Sequence, residues 1–198
     1  TAIVIIGRTA GEDKDIKDIP GAYRLAEEEI AMLDGVRAAF PRMIVLLNIG
    51  SLIDLNYFDR CVPDALMIVW QGGMVGGLGT ADVLCGKASP SGKLTDTVAY
   101  ALEDHPSHPY FGDKDRNFYS EDIFVGYRYF ETFAKDKVRY PFGYGLSYTD
   151  FAISGGNFKH EPEKKSLELQ VLVKNTGTVA GKEVVQVYGK APQGKLGK

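Results

Sequence analysis

The chain has 198 residues, of which 44% are hydrophobic and 25% are charged, and its formal net charge at pH 7 is −3. This composition is that of an ordinary globular protein, and the length suffices for one mid-sized domain and part of another. The small net charge provides no basic surface for nucleic acid or an anionic membrane, and no apolar stretch approaches the roughly 20 residues that span a bilayer. We therefore expect neither a nucleic-acid partner nor a membrane partner.

Two cysteines, Cys61 and Cys85, are too few for a disulfide scaffold, and neither has a nearby histidine that would complete a zinc site. His105 and His108 flank Pro106, so a helix cannot present them together as metal ligands. No metal and no cofactor is expected. The first residues lead into an apolar segment without the basic stretch of a signal peptide, which with reduced thiols favours a cytoplasmic protein.

The first half of the chain alternates between predicted strands and helices. Three short, continuous apolar runs predict strands buried on both faces: residues 3–6, 43–47 and 65–70. Apolar residues at three- and four-residue spacing predict a helix from about residue 27 to Phe40, ended by Pro41. A second helix is predicted after Gly77, ending at Gly86. These units predict an α/β fold, a mostly parallel sheet with helices on both faces.

The second half of the chain contains two regions that differ in composition and in the spacing of apolar residues. Residues 87–148 are rich in glycine, proline and aromatic residues, and the aromatic residues around Glu121 favour packing over sugar contact. After Tyr148 apolar residues alternate with polar ones at a period of two, and residues 183–188 predict a further strand. A β-sandwich needs about 100 residues, so residues 149–198 are expected to form only part of an antiparallel β-sandwich.

The acidic segment after the first predicted strand is a candidate catalytic loop. Functional loops of open α/β sheets lie at the carboxyl ends of strands, and residues 7–13 occupy that position. Hydrolysis of a glycosidic bond uses two carboxyl groups, one as proton donor and one as nucleophile or base. Glu12 is placed to be one of them, or else it begins a solvated acidic loop with Asp13, Asp15 and Asp18. The residues alone leave both interpretations open.

The glycine-rich residues 71–79 lie between a predicted strand and a predicted helix, where a phosphate-binding loop would lie. They lack the Lys-Ser/Thr of a P-loop, and their glycine spacing departs from the dinucleotide fingerprint. A tight turn that brings a helix close to the sheet is the favoured interpretation, and a nucleotide-binding protein is the weaker alternative.

Several longer segments match one pattern, in order along nearly the whole chain. They are residues 11–13 with 20–25, 45–51, 81–87 with 90–94, 119–130, 141–149, and 174–177 with 180–188. Together these segments resemble family 3 glycoside hydrolases of the β-glucosidase type. Residues 11–13 resemble the acid/base loop of that family, and residues 141–149 resemble the junction into its fibronectin type III-like domain.

The resemblance implies a domain organisation and a function. Residues 1–148 would be the family's α/β sandwich domain, incomplete at its N-terminus, with an aromatic linker, and residues 149–198 would begin the fibronectin type III-like domain. Glu12 would be the general acid/base of a retaining, exo-acting β-glycosidase that hydrolyses terminal β-linked glucose. Arg8 and Asp13, close to Glu12 in sequence, are predicted to bind substrate. The expected partners are a β-glucoside or oligosaccharide substrate and the (β/α) barrel domain of the same enzyme, whose aspartate is the nucleophile.

The chain also departs from the family pattern. Met74 and Val75 stand where many relatives carry Gln-Glu, and residues 95–97 replace a proline-containing strand. Residues 94–97 and 129–133 resemble a branch in which these regions precede the barrel, which would place the nucleophile after residue 198. Because one carboxylate cannot carry out double displacement, the chain alone is predicted to be inactive. A non-catalytic carbohydrate-binding or scaffold module is the alternative.

Overall fold

The structure is a computed structural model that describes residues 1–9 and 15–190, which form two compact units. The first unit contains the described residues up to Thr80 together with Thr97–Tyr140. The second contains Ala81–Asp96 and the described residues from Pro141 onward.

A parallel three-stranded sheet forms the centre of the first unit. Its strands are β1 (Ala2–Gly7), β2 (Met43–Asn48) and β3 (Ala65–Ile68), in the order β1-β2-β3. Helix α1 (Glu27–Ala39) connects β1 to β2, and the short helix α2 (Tyr57–Cys61) connects β2 to β3. The predicted parallel strands and the first helix are confirmed. Strand β3 ends before Trp70 because that residue has a φ of 51°, which interrupts extended backbone.

Helix α1 forms where charge and apolar spacing both favour it. Glu27, Glu28 and Glu29 occupy its first turn, where the helix dipole favours carboxylates, and Arg37 lies in its last turn. Leu33 on its inner face is fully buried. The backbone is extended at Phe40, as expected for a residue before a proline.

Burial differs between the strands of this sheet. In the central strand β2, Met43, Val45 and Leu47 are completely buried and Leu46 nearly so. In β1, Val4 and Ile6 are buried but Ile3 and Ile5 are 53% and 62% exposed. The prediction that these strands are buried on both faces is therefore wrong for the two edge strands: the described residues cover only one face of β1, and β3 contains no buried residue.

The second predicted helix and the tight glycine turn before it are confirmed, but no residue of this helix is buried, so the predicted close packing of the helix on the sheet is not seen. A single 3₁₀ turn, Gly73–Val75, precedes helix α3 (Gly76–Leu84). A Cβ on Gly72 would lie 2.6 Å from the Cα of Gly76, so the close approach requires glycine there. Gly86 follows α3 with a φ of 73°, the left-handed conformation in which helices commonly end.

The rest of the first unit is a small aromatic core. Strands β4 (Val98–Ala99) and β5 (Val138–Tyr140) pair antiparallel, and helix α4 (Tyr127–Phe133) packs beside them. Phe130 is 1% exposed, and the ring of His105 meets its edge at a centroid distance of 5.2 Å. The prediction that these aromatic residues serve packing is confirmed for Phe130 and for Tyr129, which packs against it.

The second unit contains an antiparallel hairpin, β6 (Phe151–Glu161) and β7 (Ser166–Asn175). The prediction that residues 183–188 form a strand is wrong, because this segment pairs with neither β6 nor β7 nor any other strand of the described residues. It is attached by side chains instead: Glu183 lies 3.0 Å from the ammonium of Lys93, and Gln186 Nε2 donates to the Gly143 carbonyl at 3.2 Å.

None of the helices in residues 1–9 and 15–190 has the length and apolar character that crossing a bilayer requires.

Candidate catalytic loop at the edge of the sheet

The predicted acid/base, Glu12, and its neighbour Asp13 lie outside the described residues. The chain on both sides of them is described, and it shows where this segment leaves and rejoins the fold. Strand β1 ends at Gly7, and Arg8 N then donates to Asn48 O at 2.9 Å, beside the end of β2. Residues 8 and 9 therefore leave the sheet at its carboxyl edge, where functional loops of α/β proteins lie.

The Arg8 side chain joins three parts of the chain at the base of this segment. Its Nε donates to Ala22 O at 2.9 Å, and its Nη1 donates to Gly7 O at 2.8 Å. The two Nη atoms also hold the Glu29 carboxylate, at 2.6 and 2.7 Å, and Nη2 approaches Arg24 O at 3.5 Å. The side chain is only 9% exposed.

These contacts give each of the five N–H groups of the guanidinium an acceptor within the protein. A contact between Arg8 and substrate, as the sequence predicted, would have to displace one of these acceptors. The geometry observed here is that of a structural clamp.

Glu29 is the anionic half of the clamp. Its carboxylate accepts both hydrogen bonds from Arg8, and its Oε2 also accepts the N–H of Ala26 at 2.8 Å, at the start of α1. The hydrogen bonds from Arg8 lower the pKa of Glu29, against an opposing effect of burial, and the Ala26 N–H lowers it further. Glu29 is therefore ionised at neutral pH, and it ties the end of β1 to the start of α1.

A compact turn closes the other end of the segment. Arg24 donates to both oxygens of Asp18, at 2.7 and 2.6 Å, and this pairing lowers the pKa of Asp18. Tyr23 N donates to Lys17 O at 3.1 Å, and Gly21 N donates to Arg24 O at 2.9 Å with a φ of 79° at Gly21. Since Arg8 binds the carbonyls of Ala22 and Arg24, the two ends of the segment are held against one another.

Tyr23 fastens this turn to the loop that follows β2. Its carbonyl accepts the N–H of Asp54 at 2.9 Å. Burial, and then the nearby carboxylates of Asp54, Asp18 and Glu103, raise the pKa of Tyr23 to about 12. The phenol therefore stays protonated at physiological pH and is not a candidate base.

Sequence reasoning did not identify the partners of Arg8. The helix dipole and the capping signal of a glutamate three residues after the N-cap, here Ala26, account for an acidic residue at position 29, but neither predicts a contact with Arg8. The carbonyls of Ala22 and Arg24 carry no sequence signal, because every residue has one.

A cavity of about 480 Å³ lies in the loop of residues 107–118. The rings of Tyr110, Phe111 and Phe118 contribute to its lining, as do charged groups including Asp113 and Arg116. The Tyr110 and Phe118 rings contact each other at a centroid distance of 4.7 Å. Aromatic faces and charged groups together can hold a hydroxylated ligand.

Within residues 1–9 and 15–190 no group of three or more His, Cys, Asp or Glu side chains is arranged to hold a metal ion.

Comparison with known proteins identifies the family. The model of the glycosyl hydrolase family 3 C-terminal domain matches residues 1–148. The chain is 56% identical over 198 residues to a β-glucosidase of Ruminococcus albus, covering 100% of this chain and 21% of that protein. It is 43% identical over 240 aligned residues to β-glucosidase A of Butyrivibrio fibrisolvens, covering 100% of this chain and 29% of that protein.

Solved structures agree with these matches. β-Glucosidase 3B of Thermotoga neapolitana, in complex with glucose, is similar with a TM-score of 0.89 at 41% identity, over 99% of this chain and 28% of that one. A β-glucosidase of Paenibacillus barengoltzii gives a TM-score of 0.85 at 51% identity, over 90% of this chain and 20% of that one. The chain thus spans less than a third of the length of these relatives. It belongs to the glycosyl hydrolase family 3 C-terminal domain family.

Proposed function

We propose that the chain is the acid/base-bearing portion of a retaining, exo-acting β-glucosidase, with Glu12 as the general acid/base. Family membership and the β-glucosidases among the relatives support the reaction class. The observation that supports the placement of Glu12 is the clamp at Arg8, which holds the ends of its segment together at the carboxyl edge of the sheet.

The proposed chemistry has two steps. In the first, Glu12 protonates the glycosidic oxygen while an aspartate on the barrel domain attacks the anomeric carbon and forms a glycosyl-enzyme. In the second, Glu12 removes a proton from water, and the water releases the sugar. The first step needs Glu12 protonated, so its pKa must be raised, and burial beneath the bound sugar would do this. Asp13, adjacent to it in sequence, is proposed to contact a sugar hydroxyl.

The proposed domain organisation places the α/β sandwich domain at residues 1–148 and the start of a fibronectin type III-like domain at residues 149–198. The parallel sheet β1-β2-β3 supports the first assignment, and the antiparallel hairpin β6–β7 supports the second. The barrel domain of the same enzyme would supply the nucleophile and much of the sugar site. The isolated chain is therefore expected to be inactive.

The proposal is tested by Glu12→Gln in the full-length enzyme. Glutamine cannot donate the proton, so glucosides with poor leaving groups should be slowed by about 10²–10⁴-fold, the usual contribution of general acid catalysis. Activated aryl glucosides need little protonation of the leaving group, so their glycosylation step should be slowed much less. External azide should partly restore turnover, because it attacks the glycosyl-enzyme without a general base.

Asp15→Asn is the matched control, since it removes a neighbouring carboxylate outside the proposed machinery. It should leave both classes of substrate unaffected. Equal rates for wild type and Glu12→Gln on poor leaving groups would contradict the assignment of Glu12.

A further inference from the structure

The cavity in the loop of residues 107–118 has no role in the chemistry proposed for Glu12. Its volume of about 480 Å³ lies within the range of roughly 300–1,000 Å³ that small-molecule sites occupy. Every residue that lines it is described and belongs to the first unit. We propose that this cavity binds a short neutral oligosaccharide, a binding function that goes beyond the hydrolysis of a terminal glucose.

The shape of the cavity is set by contacts within the loop itself. Gly112 has a φ of 77°, which favours glycine. The Asp113 side chain then accepts the backbone N–H groups of the second and third residues after it, at 2.8 and 3.0 Å, and so holds a turn. The rings of Tyr110 and Phe118, near the two ends of the lining, contact each other at a centroid distance of 4.7 Å. A ligand therefore meets a cavity that is already formed, and binding orders few additional groups.

The aromatic rings of the cavity are exposed, unlike the ring of Phe130 in the core of the same unit. Phe111 is 67% exposed, and Tyr110 and Phe118 are exposed as well. Apolar surface exposed together in one concave place is typical of ligand-binding grooves. A sugar ring has an apolar face of C–H groups and a rim of hydroxyls. It can therefore cover an aromatic face while its hydroxyls reach the polar groups around that face.

The polar groups of the lining suit a neutral ligand with many hydroxyls. They are the carboxylates of Asp113 and Asp115, the cations of Lys114 and Arg116, and the amide of Asn117. The formal charges cancel, so the lining favours neither an anionic ligand nor a cationic one. None of these charged side chains forms an ion pair with another described residue. The carboxylates accept hydrogen bonds, the cations donate them and the amide does both, which matches hydroxyl groups that donate and accept.

The proposal is tested in the full-length enzyme by a fluorine label on the ring of Phe118, whose NMR resonance reports on the cavity. The probe is thio-linked cellotetraose, a neutral oligosaccharide that resists glycosidic hydrolysis. We expect the Phe118 resonance to shift and saturate as the probe is added. The same label on Phe40, an exposed phenylalanine of the first unit that does not line the cavity, should not respond.

Two sets of variants, read through the Phe118 label, assign the binding to the cavity. Phe111→Ala removes the most exposed ring of the lining and should raise the Kd of the probe roughly 3- to 10-fold, whereas Phe40→Ala should leave the Kd unchanged. Asp113→Ala removes the acceptor that holds the turn and should weaken binding as well. Asp113→Asn keeps an oxygen for both N–H groups, so its Kd should stay close to that of the wild type.

The charge of the ligand is tested by salt and by an anionic sugar. Because the formal charges of the lining cancel, added NaCl should leave the Kd of thio-linked cellotetraose unchanged. Glucose 6-phosphate, which carries a similar hydroxylated ring with a negative group, should bind no more tightly than glucose. A marked preference for the phosphate would overturn the assignment of a neutral ligand.

The outcomes are independent of the test of Glu12. If the Phe118 resonance shows no saturable shift, or if Phe111→Ala binds the probe as tightly as the wild type does, the binding function of the cavity is overturned. The leaving-group dependence and azide rescue of Glu12→Gln are unaffected by that result. Conversely, failure of the Glu12 assignment would leave the binding measured at Phe118 as it is.

Discussion

The parallel sheet of the first unit and the hairpin of the second both contain large apolar side chains, but these side chains differ in burial. In β2, Met43, Val45 and Leu47 are fully buried between neighbouring strands and helices. In the hairpin, Ile153, Phe158, Leu167 and Leu169 are between 41% and 64% exposed. Strand formation therefore requires only a paired neighbour, whereas a buried core requires a second layer of structure. The described residues supply that second layer to β2 and not to the hairpin.

The largest expected effect contrasts one leucine from each region. Leu47→Ala removes a completely buried side chain from β2 and should lower the free energy of unfolding by about 2–5 kcal/mol. Leu167→Ala, at a position 64% exposed, should cost about 0.5 kcal/mol or less in this chain. Urea denaturation of both variants measures the difference.

The same pair sharpens the comparison in the longer enzyme. If further strands cover the hairpin there, Leu167→Ala should become clearly more destabilising than it is in this chain. Equal costs in the two contexts would mean that the apolar face of the hairpin stays open.

The next effect compares one ion pair from each region. Arg139 is 7% exposed, donates to both oxygens of Asp59, and lies over the rings of Tyr100 and Tyr140. Arg139→Met should therefore cost about 1–3 kcal/mol, because the hydrogen bonds of the buried guanidinium to Asp59 and Asn56 and its contacts with the two rings are lost. Lys159 in the hairpin pairs with Glu161 but is 66% exposed, so Lys159→Met should cost less than about 1 kcal/mol. Thermal unfolding at low and high salt would measure the stability of both variants. An equal loss of stability in the two would contradict the expected difference between the buried and the exposed ion pair.

The smallest expected effect is a pH dependence of stability, which arises from Tyr23 in the first unit. The pKa of Tyr23 is raised to about 12 from an ordinary value of 10.0, chiefly by burial. The folded state therefore holds this proton more tightly, so its stabilisation is complete below pH 10.0 and is lost as pH rises towards about 12. Tyr23→Phe should flatten the alkaline decline in stability over this range. Tyr148→Phe, which removes a phenol from the second unit, is the control, and identical pH profiles for the two variants would contradict this assignment.

The regular elements were predictable because their causes are local. The spacing of Ile30, Leu33 and Val36 with the acidic first turn determines α1, and Pro41 determines where it stops. Continuous apolar runs predicted β1, β2 and β3, since strands of this kind need little else to be recognised. Residues 183–188 were predicted as a strand by the same local reasoning, and that prediction failed because a strand also needs a partner.

The candidate site was predictable only in part. The position of Glu12 after β1, together with the family resemblance, predicted the loop from the sequence. Glu12 itself lies outside the described residues. The clamp at its base was not predictable, because Arg8 meets Glu29 and the carbonyls of Ala22 and Arg24 across 14 to 21 residues of sequence. Arginine, glutamate and backbone carbonyls occur throughout any chain and do not identify one another.

The sequence by itself therefore determined helices α1 and α3, the parallel strands, the period-two alternation of β7 and the family, since each depends on neighbouring residues or on ordered motifs. Only the tertiary structure decided which apolar faces are covered, as at Ile3 and Ile5, and which charges are paired, as at Arg8 and Glu29. The physical reason is that burial and ion pairing depend on distances between residues that are far apart in the chain.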